Sequence, residues 1–375
     1  MNLPIYFDNA ATTALDSRVK EAILEGIEAD GNPSSTHALG RKSKAIIESS
    51  RAEIAKLFTC HPSEIIFTSG GTEADNLAIL GTVETAGINT IISSRIEHPA
   101  VIESIKKAEK LFNVTVKWVN IHDNGDIDLK HLEELLATWP KSLVSLMHVN
   151  NEIGNVLDIY KVGELCQLHS AIFHSDMVQS IGHFTLNLNK LPVDLVSCSA
   201  HKIHGPKGIG FLYRKKGVSL IAQLNGGKQE REARGGTENI IGIVGLAKAL
   251  QIAITEEYEI NTKISSLKEY FINQVQINFD SVLFNGNSGN LTDSVNAIVS
   301  LNFPKSSSND MILFQLDLKG IFVSGGSACS SGSVSGSHVL NEINVKGASI
   351  RVSFSKENTK EEIDQVIQVL KELDL

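Results

Sequence analysis

The sequence predicts an α/β protein: a large domain with a mostly parallel sheet flanked by helices, plus a smaller α+β domain. Three observations carry this. Short apolar runs alternate with helical patterns through the middle of the chain, and the rhythm changes after about residue 256. The chain's 375 residues, 42% hydrophobic and 21% charged, suffice for about two globular cores.

The elements follow in order. EIIFTS (64–69) reads as a strand and TEADNLAILGTV after it as a helix. TIISS (90–94) precedes helical AVIESIKKAEKLF, and VTVKWV (114–119) precedes helical LKHLEELLAT. LVSLMHV (143–149) leads to helical IYKVGELCQLHS, and AIFHSDM, VDLVSCSA and GIGFLYR read as further strands. Strands alternating with helices of this length build βαβ units and a parallel sheet covered on both faces. NIIGIVGLAKALQIAITEEYEI (239–260) reads as one long helix leading out of the domain. Beyond it, AIVSLNF, IFVSGG and SIRVSFS read as strands and DMILFQLDL as a helix. The final helix has a start signal, since Thr359 and Glu362 fit a capping box.

Composition narrows the function. A formal net charge of -9 disfavours nucleic acid, which requires clustered Lys and Arg. No apolar run is long enough to span a membrane, and MNLPIYFDNAATT lacks the basic and apolar regions of a secretory signal. Cys60, Cys166, Cys198 and Cys329 are scattered, with no CxxC pair, so neither a disulfide framework nor a zinc site is expected. Reduced thiols in a cytoplasm are the simplest expectation.

Five segments place chemically capable residues at the carboxyl ends of predicted strands, where open α/β sheets bind ligands. In TSGGTEADN (68–76) two glycines turn a strand into a helix near Thr72. Its free N–H groups can hold a phosphate, though an ordinary turn looks the same. In SAHKIHGPKG (199–208) Lys202 follows a buried strand, flanked by Ser199 and His201. It is a Schiff-base candidate or a surface lysine in a loop. In HSDMVQS (174–180) Asp176 can pair with a pyridinium nitrogen or cap a helix. In SRIEHPAV (94–101) His98 can stack on a cofactor and move protons, or sit at the surface. Asn150, in HVNNEIGN (148–155), joins them. Five coincidences at one sheet edge favour a single site.

The segments IYFDNAATT, GNPSSTHALGR, FTSGGTEADN, IEHPAV, MHVNNEIGN, HSDMVQSIG, SAHKIHGPKGIG, RGGTEN and SGGSACSSGS occur in that order. Together they resemble the pyridoxal-phosphate cysteine desulfurases of the NifS/IscS type, within the class-V aminotransferase group. The resemblance implies the type I pyridoxal-phosphate fold. Residues 15–255 would form the large domain, and residues 1–14 with 256–375 the small one. It implies that Lys202 holds pyridoxal phosphate as a Schiff base and serves as the proton-transfer base. His98 would stack on the ring, Asp176 pair with its nitrogen and Gln179 bond its phenolic oxygen. Gly71, Thr72, Ser199 and His201 would hold the phosphate. Thr237 would reach the neighbouring subunit's phosphate, which implies a homodimer. Asn150 and Arg351 would hold the substrate carboxylate, for which a forked guanidinium is suited.

Cys329 sits among glycines and serines in VSGGSACSSGS (323–333). A structural cysteine prefers bulky apolar neighbours, whereas a Gly/Ser-rich tether is solvated and mobile. The resemblance implies that this thiolate takes sulfur from L-cysteine, leaves L-alanine, and passes the persulfide to an acceptor protein for iron–sulfur clusters or other sulfur compounds. No resident metal is expected; Cys329 itself is a candidate transient iron–sulfur ligand. Cys166 and Cys198, within apolar elements, read as structural. Three other readings compete: a related lyase or aminotransferase of the selenocysteine lyase type, a sulfur-carrier scaffold with a vestigial site, and a nucleotide-binding module resting on Gly70 and Gly71 alone.

Overall fold

The computed structural model describes residues 4–85, 87–304, 309–325 and 336–373. A two-residue strand, β1 (Ile5–Tyr6), precedes helices α1 (Ser17–Ile27) and α2 (Ala38–Leu57). Alternation then begins with β2 (Ile65–Thr68), α3 (Gly71–Thr85), β3 (Thr90–Ser93), α4 (Pro99–Phe112), β4 (Thr115–Trp118) and α5 (Leu129–Thr138). It continues with β5 (Leu143–Ser145), α6 (Ile159–Leu168), β6 (Ile172–Asp176), β7 (Leu195–Ser199) and β8 (Gly210–Arg214). Helices α7 (Ile240–Thr255) and α8 (Glu257–Asn278) follow. The remainder comprises β9 (Leu283–Phe284), β10 (Ile298–Phe303), α9 (Asn309–Leu318), β11 (Ile321–Phe322), α10 (His338–Glu342), β12 (Ala348–Ser353) and α11 (Lys360–Glu372).

Seven strands make one sheet in the order β2-β8-β7-β6-β5-β3-β4. All pairs are parallel except those of β8, which runs antiparallel to both β2 and β7. Strands β2, β3, β5 and β7 are buried throughout, so they are apolar without strict alternation, as a sheet covered on both faces requires. The edge strand β4 is more exposed and carries Lys and Thr. Helix α3 is buried nearly all round its axis, so even its Asp75 lies inside. That placement matters below.

Two expected elements differ from the structure. Residues 239–260 do not form one helix: α7 ends at Thr255 and α8 begins at Glu257. Glu256 between them is drawn to the Arg18 guanidinium, and α8 turns away to bury Ile264, Leu267, Phe271 and Val275 in a second core. The strand expected over 143–149 stops at Ser145, because the Met147 N–H donates to the Glu97 carboxylate instead of to a neighbouring strand.

The second core is built on β10, which pairs antiparallel with both β12 and β9. The N-terminus belongs to it: β1 pairs parallel with β11, and Phe7 meets Phe354 edge-on at 5.4 Å. The capping box of α11 is present, with Thr359 Oγ accepting from Glu362 N–H at 3.3 Å and Glu362 accepting from Thr359 N–H at 3.1 Å. Among the described residues no helix is long and apolar enough to cross a membrane.

Candidate active site

The carboxyl ends of β2, β6 and β7 converge. After β2, Gly70 adopts φ +151°, a conformation that L side chains rarely take. Gly71 opens α3, and a Cβ there would stand 2.8 Å from Val178 Cγ2. Thr72 is exposed in the first turn of the helix. Buried Ser199, the last residue of β7, lies beside this turn, its hydroxyl 3.7 Å from where a Cβ on Gly70 would be. Among the described residues Ser199 makes no side-chain cap to the 3₁₀ turn Ala200–Lys202 that follows. A helix N-terminus, a hydroxyl and a wall without side chains make a cradle for an anion.

Lys202 ends that 3₁₀ turn. Its Nζ donates to the carbonyls of Ala10 at 2.5 Å and Ala11 at 2.8 Å. Gln179 Nε2 donates to the same Ala10 carbonyl at 2.9 Å. His201 Nδ1 lies 3.2 Å from Thr12 Oγ1, and burial pushes the imidazole down to about 4. The N-terminal segment 10–13 therefore lies against the lysine turn. No role for these carbonyls is legible in the sequence, because they come from 192 and 191 residues upstream.

Asp176 ends β6 and is 6% exposed. Its Oδ1 accepts from Val178 N–H at 2.9 Å. Burial raises its carboxyl above the usual range, against the pull of His98 and Lys202. His98 caps α4, its Nδ1 accepting from Ala100 N–H at 3.1 Å, so the neutral ring carries its proton on Nε2. Burial lowers His98, helped by the charges of Lys202 and His338 and opposed by Asp176. Asp75, His98 and Asp176 bring ligand-capable atoms within 4.8 Å of one another.

Asn150 and Arg351 lie close by but are already engaged. Asn150 Nδ2 donates to Ile96 O at 2.8 Å, and its Oδ1 accepts from Glu152 and Ile153 N–H at 2.9 and 3.1 Å. Its amide thus orders a turn. That turn offers the Asn151 carbonyl to Arg351 at 2.7 Å. Arg351 also pairs with Asp8 at 2.8 Å, and its buried Nε has no hydrogen-bond partner among the described residues. Thr237 is exposed and lines a cavity of about 80 Å³ with Thr68, Ser69 and Gly236. Cys329 lies outside the described residues. Of the other thiols, Cys166 and Cys198 are buried and pushed up by burial, while partly buried Cys60 is pushed up to about 12. All three are poor thiolates.

Sequence reasoning missed three buried acids around the site. Asp75 sits in α3, where an acid in a helix ordinarily faces solvent. Glu97, pushed up to about 8 by burial, accepts from Met147 N–H and from the Ser94 hydroxyl. Glu152 accepts from Ser337, the N-cap of α10. Beside it, His338 Nε2 lies 2.9 Å from the Glu97 carbonyl. Asp75 in TEADN and Glu152 in NNEIGN stand among polar neighbours, so the sequence carried no signal that they are buried.

A mostly parallel sheet with a lysine, an aspartate and a helix N-terminus at one edge defines an enzyme of the type I pyridoxal-phosphate fold. The class-V aminotransferase profile matches residues 5–366, and the chain belongs to that family. It is similar to the cysteine desulfurase IscS of Dictyoglomus turgidum, at 40% identity over 100% of this chain and 95% of that one. It is also similar to the cysteine desulfurase IscS of Clostridium botulinum, at 38% identity over 99% and 94%. A solved NifS-like protein from Rickettsia africae superposes with a TM-score of 0.88, at 33% identity over 98% and 99% of the two chains. Pyridoxal phosphate is the cofactor of this family, and the residues present fit it. The anion cradle takes a phosphate, Asp176 a ring N–H, and Lys202 an aldehyde.

Proposed function

We propose that the protein is a pyridoxal-phosphate-dependent cysteine desulfurase. The observation that carries this reading is the constellation of Lys202 after β7, Asp176 at the end of β6 and His98 after β3, in a chain with full-length relatives named for that activity. Pyridoxal phosphate supplies an electron sink for the α-carbon of a bound amino acid. Gly71, Thr72, Ser199 and His201 would hold its phosphate, Asp176 would pair with its ring nitrogen and Gln179 would bond its phenolic oxygen.

Lys202 Nζ takes the α-proton and returns it. His98, with its Nδ1 tied to the backbone, keeps Nε2–H for proton transfer. Arg351 exchanges its ion pair with Asp8 for the substrate carboxylate, a switch between like partners. Asn150 holds the turn that carries Asn151 and so fixes the guanidinium. The Cys329 thiolate attacks the substrate sulfur. The substrate C–S bond breaks as an S–S bond forms. L-cysteine and the enzyme thiol thus become L-alanine and an enzyme persulfide, with no external oxidant. A sulfur-acceptor protein then removes the outer sulfur, for iron–sulfur clusters or other sulfur compounds. The working form is a cytoplasmic homodimer in which Thr237 reaches the partner's phosphate.

Alanine release from L-cysteine with a thiol reductant, measured beside Cys329→Ser, tests the reading. Alanine from the native protein and none from the variant is expected. Equal alanine from both would sink the role of Cys329, and none from either would sink the substrate.

A further inference from the structure

Behind Asp176 lies a polar network that the reaction outlined above does not use. Asp75, His174, Ser145 and Ser197 are at most 1% exposed. Ser145 Oγ is 2.9 Å from His174 Nδ1, and His174 Nε2 is 3.1 Å from Ser197 Oγ and 3.6 Å from Asp75 Oδ1. The Ser197 hydroxyl also faces the Asp75 carboxyl. Burial holds His174 down to about 3, so it is neutral. In the neutral ring one nitrogen accepts a serine hydroxyl and the other donates to the second serine, so His174 is satisfied without Asp75. The Asp75 carboxyl lies beyond it, and its Oδ1 has no hydrogen-bond partner among the described residues.

The Asp75 and Asp176 carboxyl groups bring oxygens within 4.8 Å of each other, and two buried carboxyl groups this close do not both ionise. The surroundings choose between them. Asp176 receives a backbone N–H and faces His98 and Lys202. Asp75 accepts no backbone N–H among the described residues and faces Asp176 and Glu97, both acids. Resting on the pyridoxal-phosphate reading, we propose that Asp75 is a positioning residue that carries a proton and donates it in a hydrogen bond to Asp176. Asp176 is thereby the single anion presented to the cofactor ring. Burial and the neighbouring acids raise Asp75 well above the carboxylate range, in agreement.

The test uses the loaded protein labelled with ¹³C at aspartate Cγ, which leaves Glu97 silent. Near neutral pH the NMR spectrum should contain one protonated carboxyl signal, lost in Asp75→Asn. The pH midpoint of the cofactor's visible band supplies a second readout. Asp75→Ala, which has no donor, concentrates charge on Asp176 and should raise the midpoint by about one unit. Asp75→Asn, a neutral donor, should restore it. A carboxylate signal for Asp75, or a midpoint that falls in Asp75→Asn, would make Asp75 an anion and overturn the proposal. A midpoint unmoved in both variants would reduce Asp75 to a structural residue and overturn it too. If the alanine variant does not fold, the native NMR signal still decides. A native protein with no visible band contradicts the cofactor reading instead.

Discussion

Glu230 and Asp176 are both buried carboxylates, each 6% exposed, yet their surroundings differ. Glu230 meets Arg51 through two parallel hydrogen bonds of 2.7 and 2.8 Å and accepts Phe67 N–H at 2.9 Å. Arg51 also donates to Ile65 O and lies 4.5 Å over the Phe67 ring. Each of these partners is a fixed donor, acceptor or ring. Among the described residues Asp176 has a single backbone donor, beside a second carboxyl and the bases His98 and Lys202. The first cluster is complete and ties residues 230–232, all with positive φ, to the sheet. The second is short of donors, and that shortage is where a cationic ring fits. A buried charge with a full set of partners reads as scaffold; one lacking them reads as a site.

Breaking the complete cluster should have the largest effect on stability. Arg51→Ala leaves Glu230 buried and unpaired and is expected to cost about 3–5 kcal/mol in denaturant unfolding. The folded fraction should keep its visible band. A lost band in folded protein would mean that the two clusters are not separate. On the incomplete side, His98→Ala should lower kcat for alanine release by about 10²-fold or more with a smaller change in cofactor affinity. Equal losses in both would make His98 a binding residue only.

Glu97 gives a pH prediction. Its carboxyl is raised from 4.5 to about 8 by burial. Between those values the unfolded chain has released this proton and the native protein retains it. Glu97 therefore lowers stability as pH rises from about 4.5 to about 8 and has no further effect above. Glu97→Gln should remove that slope, so the variant's melting temperature gains on the native one across this window. A constant difference would place Glu97 ionised throughout. The smallest effect belongs to a surface feature. Thr359→Ala removes one half of the α11 capping box and should cost about 1 kcal/mol.

The sequence made the strands of the large sheet legible one by one, though not their order in the sheet, because central parallel strands are apolar runs bounded by turn residues. Lys202, Asp176 and His98 were legible for the same reason: each stands just past or at the end of such a run. Local capping chemistry made the start of α11 legible. What remained hidden depends on partners far along the chain. The break at Glu256 is associated with Arg18, 238 residues away. The engagement of Arg351 with Asp8 spans 343 residues. Asp75 was hidden differently. Its helix is buried all round, so period and polarity gave no sign that its acid faces inward.

The most direct test of the central claim is where the cofactor attaches. Protein loaded with pyridoxal phosphate, reduced with borohydride and digested, is mapped by peptide mass spectrometry. The account predicts a phosphopyridoxyl group on Lys202, with Lys207 in the same loop unmodified. A label on another lysine, or none in protein that has taken up the cofactor, would contradict it.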